Sequence, residues 1–508
     1  ANLLLELGRA ELAAGEPAAA LAPLREGAAL RRAMLGAEGV LVVRIEGELA
    51  RAHLALGNRD SALACYRLAA ATWERARAQP NDPEWREAYG GLVSTLYGRY
   101  ACTLLDPARG GTSASRASEA FTALQPFRAR TLEDALHGAA GRTELPRVSL
   151  GQLQKSVLSP GEALADCFAS PETSIVIVVT RDSIQAAGAP GAEGLSGRLS
   201  LFRDLLASEN GDARLIAGAA RSLGADVFGG VSDLLHGCRT VLISAGGLAA
   251  YPLGMLQLPG ENAPLAMARN VALVPSATLL AEARTSEKLT GREPGGLLAL
   301  SRETGPAGLR LNGVAEETRW LRAQFPHAVV RTNDGRRELE DMLRGLGSRD
   351  VLHISAHARR PAAAPWRAGF LLGRGDGEDA YLTASRISQL RLPARICVLA
   401  SCSSAGEATG AEGMPNLAAA WLAGGCSAVI ASQWAMSDET TADFVKLLYS
   451  QVGAHRSAGD ALREAQRASR ERHGPSSTAS WAGFVLVGDP ATPFSLDPQR
   501  VSASMTKH

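Results

Sequence analysis

The 508-residue chain lacks most of the features that would tie it to a membrane, to nucleic acid or to the extracellular space. Its 53 Lys+Arg against 52 Asp+Glu leave a formal charge of +1, so no overall field draws it to nucleic acid or an anionic bilayer. Long apolar runs are missing. Stretches such as Ile175 to Thr180 and Ala428 to Ala431 fall far short of the roughly 18 residues of a membrane span. Cysteine is scarce, seven residues in all, odd in number and without a CxxC pair. That argues against a disulfide framework or a zinc site and fits a reducing, cytoplasmic compartment. The nine histidines show no HExxH or paired-ligand spacing, which argues against a metal-dependent hydrolase. Gly373-Arg-Gly-Asp-Gly377 is glycine-rich but lacks the Lys-Ser/Thr ending of a phosphate loop and reads as a hairpin turn. No metal or cofactor is expected, and neither nucleic acid nor a membrane is expected as a direct partner. The chain opens at Ala1 rather than Met and in a helical pattern, so a trimmed N-terminus is expected and upstream targeting signals stay open.

What is present is a soluble, globular composition, 46% hydrophobic, long enough for about two to four domains. Residues 1 to about 130 are rich in Ala, Leu and Arg at helical spacing, with no visible strand. Leu7-Gly-Arg-Ala-Glu-Leu-Ala-Ala-Gly15 aligns with Leu49-Ala-Arg-Ala-His-Leu-Ala-Leu-Gly57 at an offset of 42 (49 − 7). A second helix follows each glycine, Ala18 to Leu30 and Asp60 to Trp73, with Ala20 and Ala62 where two helices approach closely. This helix-turn-helix repeat resembles the tetratricopeptide type, lengthened from its usual period of about 34 residues. A degraded third copy is expected from Trp85 to Leu105, and helices through Phe121 to His137 form the exit.

From residue 146 the texture becomes short β-branched runs alternating with amphipathic helices, an α/β signature. Expected strands are Ser174 to Thr180, Thr240 to Ser244, Leu297 to Ser301, Ala328 to Arg331, Val351 to Ala356, Ile396 to Ala400, Val429 to Gln433 and Phe484 to Val487. Helices are expected at Leu199 to Ala207, Val314 to Gln324, Arg337 to Gly345, Pro415 to Ala423 and Asp438 to Gln451. The apolar strands imply a sheet covered on both faces. Thr290 to Gly296, with its glycines and Pro294, is the seam between two halves.

Two strand ends carry candidate chemistry. Val351-Leu-His-Ile-Ser-Ala-His357 delivers a histidine where the chain turns into a polar loop, and Arg395-Ile-Cys-Val-Leu-Ala-Ser-Cys402 repeats the design with a cysteine 45 residues later (402 − 357). With Thr383 to Leu390 read as a helix between them, the strands become parallel neighbours whose ends lie side by side. A cysteine-histidine dyad follows. His357 would raise the thiolate fraction of Cys402 and protonate the leaving amine, while backbone N–H groups near Ala358 and Cys402 hold the oxyanion. The plainer reading of a lone buried Cys or His is packing, and Cys397 and His353, mid-strand in the apolar pattern, fit it.

These residues carry a family resemblance. His353-Ile-Ser-Ala-His357, Leu382-Thr-Ala-Ser-Arg-Ile387 and Val398-Leu-Ala-Ser-Cys-Ser-Ser404 resemble the CHAT peptidases of the caspase and separase clan. Asn416 to Gly425, Ala428 to Trp434 with Asp438, Ala461 to Gln466 and Trp481 to Asp489 continue in the family's order. Weaker matches at Ser159-Pro-Gly-Glu162, Ser244-Ala-Gly-Gly247 and Val274-Pro-Ser276 extend the likeness over roughly residues 146 to 496. The resemblance implies a caspase-like α/β sandwich, a mainly parallel sheet flanked by helices, after an all-α repeat domain. It places the general base on His357 and the nucleophile on Cys402. One departure is Ala358, where the family usually has Gly.

The organisation expected is therefore helical repeats over 1–130, a linker helix over 131–145, the caspase-like domain over 146–496 with halves 146–289 and 290–496, and a tail over 497–508. In separase-like relatives the residue matching Asp438 is an acid at the floor of a pocket for a basic side chain, which implies substrate binding there. The plainer reading is a helix cap, for which Ser437 and Asp438 both qualify. Glu407 and Glu412 are alternative pocket acids. A protein or peptide is the expected substrate, and the repeats, expected to dock on the peptidase domain, offer a regulatory protein partner a concave surface. The resemblance extends to regulated cleavage in bacterial defence or cell death. Two rivals stay open: a catalytically silent scaffold, and an acyl-transfer enzyme acting on esters or other amides.

Overall fold

The computed structural model describes the whole chain except residues 36–38, 79–82, 141–146, 210, 286–292, 333–335, 362–364, 374, 376, 391, 402–403, 406–416, 454–455, 498 and 501–508. The N-terminal part is helical throughout, with helices at Asn2–Ala13, Pro17–Leu35, Val40–Ala55, Arg59–Ala78, Pro83–Leu105, Ser113–Leu124 and Arg130–Ala140. The repeated glycines end the first and third of these. Gly15 and Gly57 have φ of 82° and 76°, a left-handed conformation that glycine adopts without strain. The small residues set the hairpins' close approach. Ala20 and Ala62 are fully buried, and a Cβ on Gly8 would lie 2.5 Å from Leu24 Cγ. The two copies differ in exposure. Leu3 and Met34 are 87% and 76% exposed, whereas their counterparts one repeat later, Ile45 and Ala76, are buried.

Fourteen strands are found among the described residues: β1 Glu162–Ala169, β2 Thr173–Val179, β3 Ile184–Pro190, β4 Thr240–Ser244, β5 Asn270–Leu273, β6 Leu297–Ser301, β7 Val329–Thr332, β8 Val351–Ser355, β9 Ala358–Arg359, β10 Gly369–Leu371, β11 Tyr381–Thr383, β12 Ile396–Leu399, β13 Ala428–Ser432 and β14 Phe484–Gly488. Eleven form one sheet in the order β3-β2-β1-β4-β5-β14-β13-β12-β8-β6-β7, and β11-β10-β9 form a small second sheet. From β13 through β12, β8 and β6 to β7 every pairing is parallel, while β1, β2 and β3 pair antiparallel and β14 runs against β13. The halves on either side of the seam share this sheet, joined where Leu486 and Val487 of β14 meet Ala272 and Leu273 of β5. Strand periodicity divides the core: Cys397 and Leu399 of β12 face one layer, Ile396 and Val398 the other. Among the described residues no helix is long and apolar enough to cross a membrane.

The eight strands expected from sequence are present within a residue or two at each end. Six others were not expected. In β1, Glu-Ala-Leu-Ala-Asp-Cys-Phe-Ala has no β-branched residue, and it is burial between β2 and β4 that makes it a strand. The stretch read as a helix from Thr383 to Leu390 contains the end of β11 and a single helical turn, Ala384–Ile387. The glycine-rich Gly373 to Gly377 joins antiparallel β10 and β11, with Arg374 and Asp376 outside the described residues.

The helical repeats and the sheet share a core. Phe127 packs on Tyr97 and on Phe168 of β1, at centroid distances of 4.8 and 5.7 Å. Helix Pro83–Leu105 comes so close that a Cβ on Gly98 would sit 2.6 Å from Ser170 Oγ. Two polar contacts are buried at this junction. Arg128 pairs with Asp166 of β1, which also accepts from Gln125 Nε2 at 2.9 Å. Glu133 accepts from Ser276 Oγ at 3.0 Å. Burial pushes the Glu133 carboxyl up to about 7, with Asp134 adding to the rise and Ser276, Arg130 and Arg147 opposing it.

A pH dependence of stability follows. The folded state holds the Glu133 proton where the unfolded chain has lost it, so stability falls as pH rises from about 4.5 to about 7. Glu133→Gln removes this term. Thermal unfolding should show variant and parent alike below the window and the variant more stable above it, by on the order of 2–3 kcal/mol. A difference independent of pH would assign Glu133 a packing role instead.

Candidate active site

Strand β8 is an apolar run whose polar members fall at defined depths. His353, at its middle, is fully buried: Nε2 meets Glu317 Oε1 at 2.8 Å and Nδ1 meets Tyr449 Oη at 3.1 Å. Each ring nitrogen thus has a hydrogen-bonding partner. Cys397 of β12 is likewise enclosed, and burial pushes its thiol far up. Both residues are core residues, as expected for their mid-strand places.

His357 lies two residues beyond the end of β8. Its carbonyl accepts from Leu371 N at 2.9 Å, and Ala358 immediately enters β9 opposite Phe370, so the small sheet fixes the backbone on its C-terminal side. The imidazole is half-buried, and desolvation holds it below the ordinary histidine value. Burial thus favours its uncharged form. Ala358 does not have a positive φ, so an alanine sits there without backbone strain.

Strand β12 lies parallel to β8, with Ile396 opposite Val351 and Leu399 opposite Ile354, a constant offset of 45 (396 − 351). The match continues past the strands. Ala400 N donates to Ile354 O at 2.8 Å, and Ala356 N to Ser401 Oγ at 3.4 Å. Cys402 itself lies outside the described residues, as do Ser403, Gly406, Glu407 and Glu412. The residues flanking Cys402 and Ser403 are tied to Ser432 at the end of β13. Ser432 Oγ donates to Ser401 O at 2.8 Å, Ser432 N donates to Ser404 Oγ at 3.2 Å, and Ala405 N donates to Ser432 O at 2.8 Å. Sequence reasoning passed over Ser432. Its signal was a hydroxyl residue at the exit of a fully apolar strand.

Asp438 is the first residue of helix Asp438–Ser450, but the cap is its neighbour: Ser437 Oγ accepts from Thr440 N at 3.1 Å. The half-buried Asp438 carboxyl instead faces the start of helix Asn312–Gln324. A Cβ on Gly313 would lie 2.5 Å from Asp438 Cβ, and the Gly313 N–H bonds the carboxylate. That helix has no side-chain cap of its own. Burial, then the charges of Glu439 and Glu317, raise the Asp438 carboxyl, and the Gly313 bond works against them. Glu317, the partner of His353, was also passed over. It sits on the buried face of its helix with Val314, Thr318 and Leu321, where an acid needs a partner.

The family model described as "CHAT domain" matches residues 220–489. Tetratricopeptide repeat protein 28 of Homo sapiens is 31% identical over 111 residues, 22% of this chain and 4% of that protein. Its Mus musculus counterpart is 32% identical over 110 residues, with the same coverage. The matched stretch thus spans about 4% of the length of these curated relatives. Among solved structures, the Saccharomyces cerevisiae separase–securin complex is similar at a TM-score of 0.53 and 10% identity, over 85% of this chain and 37% of that one, which is a likeness of fold. The family model covers more than half of the sequence, and the helical region followed by a mainly parallel, helix-flanked sheet is the matching caspase-like architecture: the chain belongs to the CHAT domain family.

Proposed function

We propose that the protein is a cysteine endopeptidase in which His357 and Cys402 form the catalytic dyad, carried by a peptidase domain over 146–496 and regulated through the repeats over 1–130. The observation that supports this best is the pairing of β8 with β12. The offset of 45 relates Val351 to Ile396 and Ala356 to Ser401, and the same offset relates His357 to Cys402. In this reading His357, held neutral by burial, takes the thiol proton. The thiolate attacks the scissile carbonyl, and the backbone N–H groups of Cys402 and Ala358 receive the oxyanion. His357 returns the proton to the leaving amine. Water then hydrolyses the thioester by the same route in reverse. Use in bacterial defence or cell death rests on family likeness alone.

The direct test is proteome-wide mapping of cleavage sites with the intact chain and a Cys402→Ala control. Sites that vanish in the control support the reading. Full biological function in Cys402→Ala would make the chain a silent scaffold, and turnover of esters without peptide cleavage would make it another acyl-transfer enzyme.

Asp438 is our candidate for the acid that receives a basic substrate side chain. Its raised carboxyl, with Glu439 and Glu317 nearby, is a site where a guanidinium or ammonium relieves repulsion. Asp438→Asn should then reduce kcat/KM after Arg or Lys roughly a hundredfold while leaving thiol alkylation unchanged. If the residue serves only Gly313, Asn accepts the same bond and cleavage stays within about twofold.

A further inference from the structure

A groove runs along the inner side of the repeats. Helices Val40–Ala55 and Pro83–Leu105 line it, and Pro171 and Glu172, in the turn between β1 and β2, close one side. The lining is rich in guanidinium. Arg44 and Arg51 lie seven residues apart, on one helix face, Arg9 comes from helix Asn2–Ala13, and Arg99 comes from helix Pro83–Leu105. Two carboxylates oppose these four charges. Glu48, almost fully buried, accepts from Arg9 Nε at 3.1 Å and from Arg51 Nη1 at 2.7 Å. Glu172 accepts from Arg99 Nε at 3.1 Å. Arg44 has no hydrogen-bond or ion-pair partner among the described residues, and Leu92, 58% exposed, adds an apolar surface.

We propose that this groove binds an extended acidic peptide segment of a partner protein. Ligand carboxylates pair with Arg44, Arg51 and Arg99, and an apolar side chain rests on Leu92. The proposal deepens the regulatory role given above to the repeats, and it stands on binding rather than on cleavage. The surplus of guanidinium over carboxylate supplies charge complementarity, and the helix spacing suits side chains projecting from an extended chain. A run of nucleic-acid phosphates fits less well. Glu48 and Glu172 interrupt the positive surface, and the one aromatic residue in the lining, Tyr66, is fully buried, leaving no platform for a base. Because Glu172 belongs to the β1–β2 turn, a ligand carboxylate on Arg99 competes with it. A bound segment therefore touches the repeats and the sheet at once.

The test is fluorescence anisotropy with the full chain, using Cys402→Ala so that no probe is cut. The probe is a labelled synthetic peptide alternating Glu, Ser and Leu. We expect binding that weakens with added NaCl and is at least about tenfold tighter than for the same peptide with Gln in place of Glu. Arg44→Glu should weaken it by roughly tenfold or more and Arg44→Lys much less. Arg181→Glu, a reversal on the exposed turn after β2, should stay within about twofold. Absence of binding, or equal binding of the Gln peptide, would overturn the proposal. Tighter binding of a single-stranded oligouridylate that is lost in Arg44→Glu would reassign the groove to RNA. Loss of proteolysis elsewhere would leave this readout unmoved.

Discussion

Cys402→Ala and His357→Ala should each lower peptide cleavage by about a thousandfold or more, and the double variant should be no worse than either alone. Nucleophile and base act as one unit, so the second removal takes away nothing that the first left working. Neither change should unfold the protein. His357 lies beyond β8, half-buried, with its backbone held by Leu371 rather than its ring held in the core. The contrast is His353, whose two ring nitrogens bond Glu317 and Tyr449 inside the core. His353→Ala leaves the Glu317 carboxyl buried without its partner and should destabilise the fold while sparing thiol chemistry in the molecules that remain folded. Measured kcat/KM beside the urea midpoint separates these outcomes. Substantial proteolysis remaining in Cys402→Ala would end the dyad assignment.

The second large effect concerns the joint between repeats and sheet. Arg128 and Asp166 are both fully buried, and burial raises the Asp166 carboxyl while Arg128 and Gln125 oppose the shift. Removing one member strands the other's charge in a dry interior. Asp166→Ala should therefore cost about 3–5 kcal/mol of unfolding free energy. Replacing both, with Arg128→Met and Asp166→Leu together, should restore much of that loss, since no unpaired charge remains. Urea unfolding of the two single variants and the double variant measures the coupling. Single changes under about 1 kcal/mol would show that water reaches the pair and that the joint rests on Phe127, Tyr97 and Phe168 alone.

The sequence was most legible where local chemistry and burial agree. Leu297–Ser301 and Thr240–Ser244 are apolar runs bounded by turn residues, and both strands have the bounds expected of them. The repeated glycines and alanines predicted the first two hairpins in the same way. Legibility failed where neighbours decide. β1 has a composition that suits a helix, the edge strand β3 is Ala-rich and mostly half-buried, and β9 to β11 are too short to show a period. At the site, strand exits pointed to His357. The roles of Ser432, Glu317 and Asp438 depend on segments far away in the chain: Ser432 holds the flanks of Cys402, Glu317 answers His353, and Asp438 meets Gly313. Such pairings have no periodic signature, because each is created when the sheet assembles.

The regular offset between the two hairpins has a consequence for how this architecture can change in size. Gly15 and Gly57 close equivalent turns, and Ala20 and Ala62 fill equivalent buried places, each pair 42 residues apart (57 − 15 and 62 − 20). A duplicated hairpin inserted between the two copies would thus meet surfaces already shaped for it, and the rod would lengthen by about one helix diameter, roughly 10 Å, per copy. Because His357 and the partners of Cys402's neighbours are all held by the sheet, such growth leaves the geometry of the candidate site alone. Length can vary as a ruler varies, by whole graduations.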